Sequence, residues 1–140
     1  MNPKRLAAVL RVRELQERGA RGEMARRSQA HRIALAAEEH TWTQLHQLST
    51  ERGDAARLRV MTAVRDAGML AAERQRDTTA AADEALTGAR AEWTIAARRV
   101  EALERLGERL REAEQAEDDR RQILEVDDLV LARRGRGDRP

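Results

Sequence analysis

The chain has no proline between Pro3 and Pro140, so nothing in this span forbids very long helices. Residues Leu58 to Leu131 fit one heptad register. The two halves of its repeat are Leu58, Arg65, Ala72, Thr79, Leu86, Trp93, Val100, Gly107, Glu114, Arg121 and Asp128, and Met61, Gly68, Gln75, Ala82, Ala89, Ala96, Leu103, Leu110, Glu117, Leu124 and Leu131. Eight of the nine positions from Ala82 to Leu110 are apolar. A 3.5-residue period held this long predicts helices that wind around each other.

The apolar residues are of the kind that suits a narrow helical interface. Hydrophobic residues make up 41% of the chain, but 26 residues are Ala and the two Trp are the only aromatic residues. Alanine buries little area, so a thick core is not expected. Ala, Leu, Arg, Glu and Gln all favour helix, and the composition is typical of a coiled coil.

A single turn is predicted inside the chain, at about residues 49–54. Gly53 suits the left-handed position after a helix, and Asp54 suits an N-cap. The prediction is one domain with helix one at about 5–48, helix two at about 54–134 and a frayed tail at 135–140. Helix one offers a weaker apolar side, and Arg27, His31 and Glu38 interrupt one candidate register. Its apolar candidates are Leu6, Val9, Leu10, Val12, Leu15, Ala20, Met24, Ala30, Ile33, Ala34, Ala37, Leu45 and Leu48.

The predicted fold class is therefore all-α, an antiparallel two-helix coiled-coil hairpin whose C-terminal helix is longer. A turn near residue 51 would place Arg5 opposite about residue 98. Residues 99–134 would then have no facing helix. We expect their apolar positions to form an open docking stripe, and these positions are Val100, Leu103, Leu110, Leu124 and Leu131.

Charge and residue types point to a protein partner. The net charge is +2, with an excess of basic residues in positions 1–32 and an acidic patch at Glu112, Glu114, Glu117, Asp118 and Asp119. No aromatic platform accompanies the basic segment, so nucleic-acid binding is not predicted. The sequence predicts no enzyme activity, no metal site and no cofactor, because it has no cysteine, no paired histidine motif and no phosphate loop. No apolar run is long enough for a membrane span, and a cytoplasmic protein is expected.

Three segments resemble a known family. Residues 93–106 (WTIAARRVEALERL) resemble its pattern of a Trp followed by basic residues and an aliphatic stripe. Asp118-Asp119-Arg120 and Val126-Asp127-Asp128-Leu129 resemble its C-terminal pattern, and residues 5–14 resemble its opening. The family is the flagellar export protein FliJ. The chain departs from it at Ile123-Leu124, where the family often has a Gln-Lys pair.

The resemblance implies a stalk-like component of bacterial flagellum protein export, a type III secretion process on which flagellum biogenesis, motility and chemotaxis depend. Such a protein docks in the centre of the ring of the export ATPase FliI. It also contacts the cytoplasmic domain of the export gate protein FlhA and escorts substrate chaperones. The implied location is the cytoplasm, peripheral on the cell membrane at the flagellar base, with no nucleic acid or small molecule bound.

Two other hypotheses about the function remain open. One is a stalk protein of a related injection-type secretion system, and the other is a coiled-coil scaffold or dimerisation module without an ATPase partner. Under the leading reading, the residues expected to bind partners are Trp42, Leu45, Trp93, Arg98, Arg99, Val100, Leu103, Leu110, Arg120, Asp127 and Asp128. The sequence predicts neither the oligomeric state nor the exact contacts.

Overall fold

The fold is a pair of long helices. The computed structural model describes residues 2–48 and 54–137, and 98% of this part is helical, without any strand. Helix α1 comprises Pro3–Gln47 and helix α2 comprises Ala55–Gly137. They pack against each other, which confirms the all-α helical hairpin with the longer C-terminal helix.

Both helices begin at a capping side chain. Asn2 Oδ1 accepts a 3.0 Å hydrogen bond from Lys4 N, and Pro3 occupies the first helical position, where its missing N–H is not needed. Helix α1 therefore starts before the predicted residue 5. Asp54 Oδ1 accepts a 2.9 Å bond from Arg57 N, so the N-cap predicted at Asp54 is confirmed. The predicted role of Gly53 lies outside the described residues.

Helix α2 ends later than expected. The prediction of a frayed tail from residue 135 was wrong for residues 135–137, which continue the helix to Gly137. A glycine within a helix costs only about 1 kcal/mol relative to alanine. Arg134 and Arg136 lie in the last turn, where positive charge favours the helix terminus. Residues 138–140 lie outside the described part.

The heptad register predicted for α2 is confirmed along its middle. From Met61 to Leu110, every position of that register except Arg65 is buried or half-buried. Ala72 is fully covered, and Leu86 is only 3% exposed. Leu58, the first predicted position, is exposed. From residue 111 onward all described residues are exposed.

The buried side of α1 differs from its most apolar side. Val9, Val12, Ala30 and Ile33 are exposed, and Leu15 is 65% exposed, so these candidates were wrong. Most covered positions instead follow a heptad register with polar members, in which only Arg27 is exposed. The covered members of this register are Leu6, Leu10, Arg13, Glu17, Ala20, Met24, His31, Ala34, Glu38, Thr41, Leu45 and Leu48. The register that His31 and Glu38 interrupt is thus the one that faces α2.

The chain divides into two compact units, residues 14–97 and residues 1–13 with 98–140. Within the first unit, Leu45 lies against Gly68, and a Cβ added to Gly68 would come within 3.0 Å of Leu45 Cδ1. The same unit pairs Ala34 with Thr79 and Glu17 with Trp93.

Within the second unit, a Cβ on Gly107 would lie 3.6 Å from Leu6 Cδ2. The predicted pairing of Arg5 with about residue 98 was therefore wrong by about ten residues. In each of these two contacts a glycine of α2 lies against a leucine of α1, about ten residues away from the pairing that the midpoint of the connection predicts.

Candidate interaction surfaces

Residues 111–137, here called the C-terminal extension, are all exposed. Their unit contains residues 1–13 of α1, and Pro3 at the start of that helix lines a groove with Leu110, Arg111 and Glu114. Helix α1 thus begins beside this groove, and the remainder of α2 continues without a facing helix. An uncovered segment is present at this end, as expected, but it is shorter than the predicted segment of residues 99–134.

Three residues of the predicted open stripe are not open. Val100, Leu103 and Leu110 are half-buried. Leu103 and Leu110 line the same groove as Leu6 and Leu10 of α1. Their expected exposure was wrong because α1 lies about ten residues further along α2 than the turn position predicted. Leu124 and Leu131 are exposed as expected.

The extension carries aliphatic side chains on two sides. At about 100° per residue, Leu124 and Leu131 lie within roughly 60° of Leu110 around the helix, so they continue the side that faces α1. Ile123 and Val126 lie roughly 140° to 160° from Leu110, on the opposite side. They are 61% and 57% exposed, and they line a shallow groove with Asp119, Gln122 and Asp127. The heptad register of Leu58 to Leu131 predicts only the first of these sides.

Charged residues are grouped along the extension, with an acidic block near its start and a basic group at its end. The acidic block is Glu112, Glu114, Glu117, Asp118 and Asp119, and the basic end is Arg133, Arg134 and Arg136. Arg121 lies 3.7 Å from Glu117 and 3.9 Å from Asp118, while Arg120 lies 3.8 Å from Glu117. Such exposed pairs within one helix contribute little stability. These charges remain accessible to a partner.

Trp93 is a half-buried residue of the helix pair. Its Nε1–H donates a 2.9 Å hydrogen bond to Glu17 Oε1, which also accepts a 2.6 Å bond from Arg21 Nη2. Glu17 is 9% exposed. The bond from Trp93, aided by Arg21, lowers the pKa of Glu17 below its ordinary value although partial burial acts in the opposite direction. Sequence reasoning missed Glu17, although its position seven residues after Leu10 in the covered register was available as a signal.

Trp42 and Leu45, the predicted contacts near the turn, have different environments. The Trp42 ring is half-buried, with the Arg76 guanidinium carbon 5.7 Å from its centroid and the His46 ring 6.0 Å away. Leu45 is buried against Gly68. Its side chain therefore belongs to the helix interface and is not presented to a partner.

The remaining predicted contact residues are all exposed. They are Arg98, Arg99, Arg120, Asp127 and Asp128. The predicted contacts are spread along both helices and do not converge on one cluster. Arg120 and Asp127, both on the extension, lie on the same side of α2 because seven residues separate them.

A second polar contact joins the helices within residues 14–97. Thr79 is buried, with its Oγ1 3.2 Å from Ala34 O and 3.0 Å from Gln75 O. Gln75 Nε2 also donates to Ala34 O, at 3.2 Å. These side chains reach the α1 backbone because residue 34 is a small alanine. No buried side-chain nitrogen or oxygen lacks a partner in the described residues.

Within residues 2–48 and 54–137, no group of three or more histidines, cysteines or carboxylates is placed to hold a metal ion. His31 Nε2 lies 3.7 Å from Asp83 Oδ1, a contact between the two helices. No described helix combines the length and apolarity needed to cross a membrane.

Comparison with known proteins adds no relative. No protein-family model, curated protein or solved structure matches the chain.

Proposed function

We propose that this chain is a non-enzymatic stalk of the flagellar type III protein export apparatus. In this role its C-terminal extension docks in the centre of the export ATPase ring, and other parts of the chain contact the export gate and substrate chaperones. The observation that carries the proposal is the extension itself, a helix of exposed residues that continues beyond the start of α1. Exposed aliphatic residues on a charged helix favour a protein partner.

The side of the extension that continues the helix interface is the proposed contact with the ring. Leu124 and Leu131 lie on it, with Arg121 and Asp128 close by. The aliphatic residues would supply buried area, and the charges would fix orientation, because interface charges contribute more to specificity than to affinity. Leu103 and Leu110 are left out of this contact because they line the groove against α1.

Co-purification with the export ATPase from the same cell tests the proposal. The double variant Leu124→Asp/Leu131→Asp should lose ATPase binding and fail to restore swimming in a deletion strain. The matched control Val12→Asp/Ile33→Asp changes two exposed aliphatic residues of α1 and should retain both. Circular dichroism should give equal helix content for all these proteins.

Removal of residues 111–140 provides an independent variant. Of the residues that line the groove beside the start of α1, only Arg111 and Glu114 are removed, so the truncated protein should stay helical while losing ATPase binding. If it still bound the ATPase and restored swimming, the proposed contact would be wrong. The same co-purification with the ATPase of an injection-type secretion system distinguishes the flagellar stalk from the stalk protein of that related system.

A further inference from the structure

The aliphatic side of the extension that points away from α1 has no role in the proposed ring contact. Ile123, Val126 and Val130 follow each other at spacings of three and four residues, so they share one side of α2. All three are exposed. Ala116, Asp119 and Arg133 extend the same 3-4 spacing in both directions. A strip of residues at this 3-4 spacing is the pattern of one seam of a coiled coil.

We propose that this strip binds the same strip of a second copy of the chain, with the two extensions antiparallel. The two-fold axis would pass between Leu124 and Glu125. Ile123 of one copy would then face Val126 of the other, and the pair would be repeated by symmetry. A two-fold contact uses one surface twice, so the surface must complement itself.

Charge along the extension meets this requirement in the antiparallel direction only. The axis places Arg120 beside Asp127 of the second copy, and Asp127 beside the second copy's Arg120. It also brings the acidic block at residues 112–119 level with Arg133, Arg134 and Arg136. A parallel arrangement would instead set the acidic block against itself, which opposes association.

The availability of these groups supports the same pairing. Within the described residues, none of the ion pairs of the extension involves Asp127, Arg133, Arg134 or Arg136. Arg120 contacts Glu117 only at 3.8 Å, and its side chain is largely exposed. An overlap of residues 112–137 would be about 40 Å long at 1.5 Å per residue. The small apolar centre indicates a reversible dimer, with the monomer present at low concentration.

Sedimentation of the full-length chain over a range of concentrations is the first test. A concentration-dependent equilibrium between monomer and dimer is expected, and Val126→Asp should abolish the dimer. The control Leu131→Asp changes an aliphatic residue outside the strip and should leave the dimer in place. A chain that stays monomeric up to about 100 μM, a concentration that reveals weak association, overturns the proposal.

Charge reversal tests the direction and the axis. Arg120→Asp creates two carboxylate pairs and Asp127→Arg creates two guanidinium pairs, so each variant alone should dimerise about tenfold more weakly. An equimolar mixture of the two should form a heterodimer at near wild-type affinity, and the double variant Arg120→Asp/Asp127→Arg should recover the homodimer. Two outcomes overturn the proposal: single variants that dimerise as well as the wild type, or an equimolar mixture that does not recover the dimer.

Cysteine cross-linking supplies a readout that does not depend on affinity. The chain contains no cysteine, so an introduced thiol is the only one. Val126→Cys lies near the axis and should form a disulfide-linked dimer under mild oxidation. Ala116→Cys should not, because in the antiparallel pair it is about 25 Å from its own copy. Cross-linking at Ala116→Cys would indicate parallel helices and overturn the proposal. Loss of ATPase binding by Leu124→Asp/Leu131→Asp would leave these results unchanged, so the two proposals fail separately.

Discussion

Trp93 donates the hydrogen of its indole nitrogen to Glu17, 2.9 Å away on the facing helix. The bond joins a residue that sequence periodicity placed in the interface to one that it did not. An interface lined largely by alanine tolerates sliding, because neighbouring small residues offer similar packing. A directional bond between side chains on different helices is available in one alignment only, and polar groups at such positions are known to set register. We therefore assign the Trp93–Glu17 pair a role in aligning residues 14–97.

Trp93→Phe keeps an aromatic ring but removes the N–H, so it should lower the thermal midpoint of unfolding. Glu17→Gln should lower it as well. Because both changes break one interaction, the double variant should be less unstable than the sum of the single effects. Thermal unfolding followed by circular dichroism measures all three. Strict additivity would contradict a coupled pair. Trp42→Phe, which keeps a ring beside Arg76, is the matched control and should change the midpoint little.

Acid should weaken the contribution of Glu17. Its pKa is lowered in the folded protein, mainly by the bond from Trp93, so the folded state favours the carboxylate. This stability is fully present above the pKa of the unfolded chain and is lost as the pH falls through the lower folded pKa. The difference in thermal midpoint between wild type and Glu17→Gln should therefore narrow between about pH 5 and pH 3. A difference independent of pH would show that ionised Glu17 is not involved, and Glu39→Gln on the exposed surface is the control.

Leu86→Asp should destabilise the protein by about 3 kcal/mol, because it places a charge at a position that is only 3% exposed. Leu15→Asp makes the same chemical change on α1 at a position open to solvent. It should alter the free energy of unfolding by no more than about 0.5 kcal/mol. Urea unfolding measures both. Equal losses would mean that the exposed side of α1 takes part in packing.

Gly88→Ala should stabilise the protein by about 1 kcal/mol, because alanine is the better helix former and nothing lies within 4 Å of the added Cβ. Gly68→Ala should gain less. Its Cβ would approach Leu45 Cδ1 to 3.0 Å, so the buried leucine must move. Urea midpoints for the two variants provide the comparison. A larger gain at residue 68 would show that Leu45 adjusts to the added Cβ without cost.

Sequence periodicity was sufficient to identify the covered side of α2 but not the covered side of α1. In α2 the residues from Ala82 to Leu110 are apolar where they are buried, so hydrophobicity identifies the covered side directly. In α1 the covered side includes Glu17, His31 and Glu38, whereas Val12 and Leu15 face solvent. A polar residue can occupy such a position when it has a partner on the facing helix, and the partner cannot be identified until the alignment is known.

The alignment of α1 along α2 also explains why some of the predicted contact residues are covered. Pairing about the middle of the turn left Val100, Leu103 and Leu110 without a partner, but all three are half-buried, and Leu103 and Leu110 line a groove with Leu6. The second aliphatic side of the extension was present in the sequence at Ile123, Val126 and Val130. It was missed because it lies outside the heptad register that continues from the paired region.

The small size of the covered residues determines how stability varies with temperature. Residues such as Ala72, Thr79 and Ala89 occupy most of the covered α2 positions within residues 68–97, so unfolding transfers little apolar surface to water. Globular proteins gain about 12–15 cal/mol/K per residue in heat capacity on unfolding, chiefly from such surface. This chain should gain distinctly less, so its stability curve should be flatter and its unfolding should respond less steeply to denaturant.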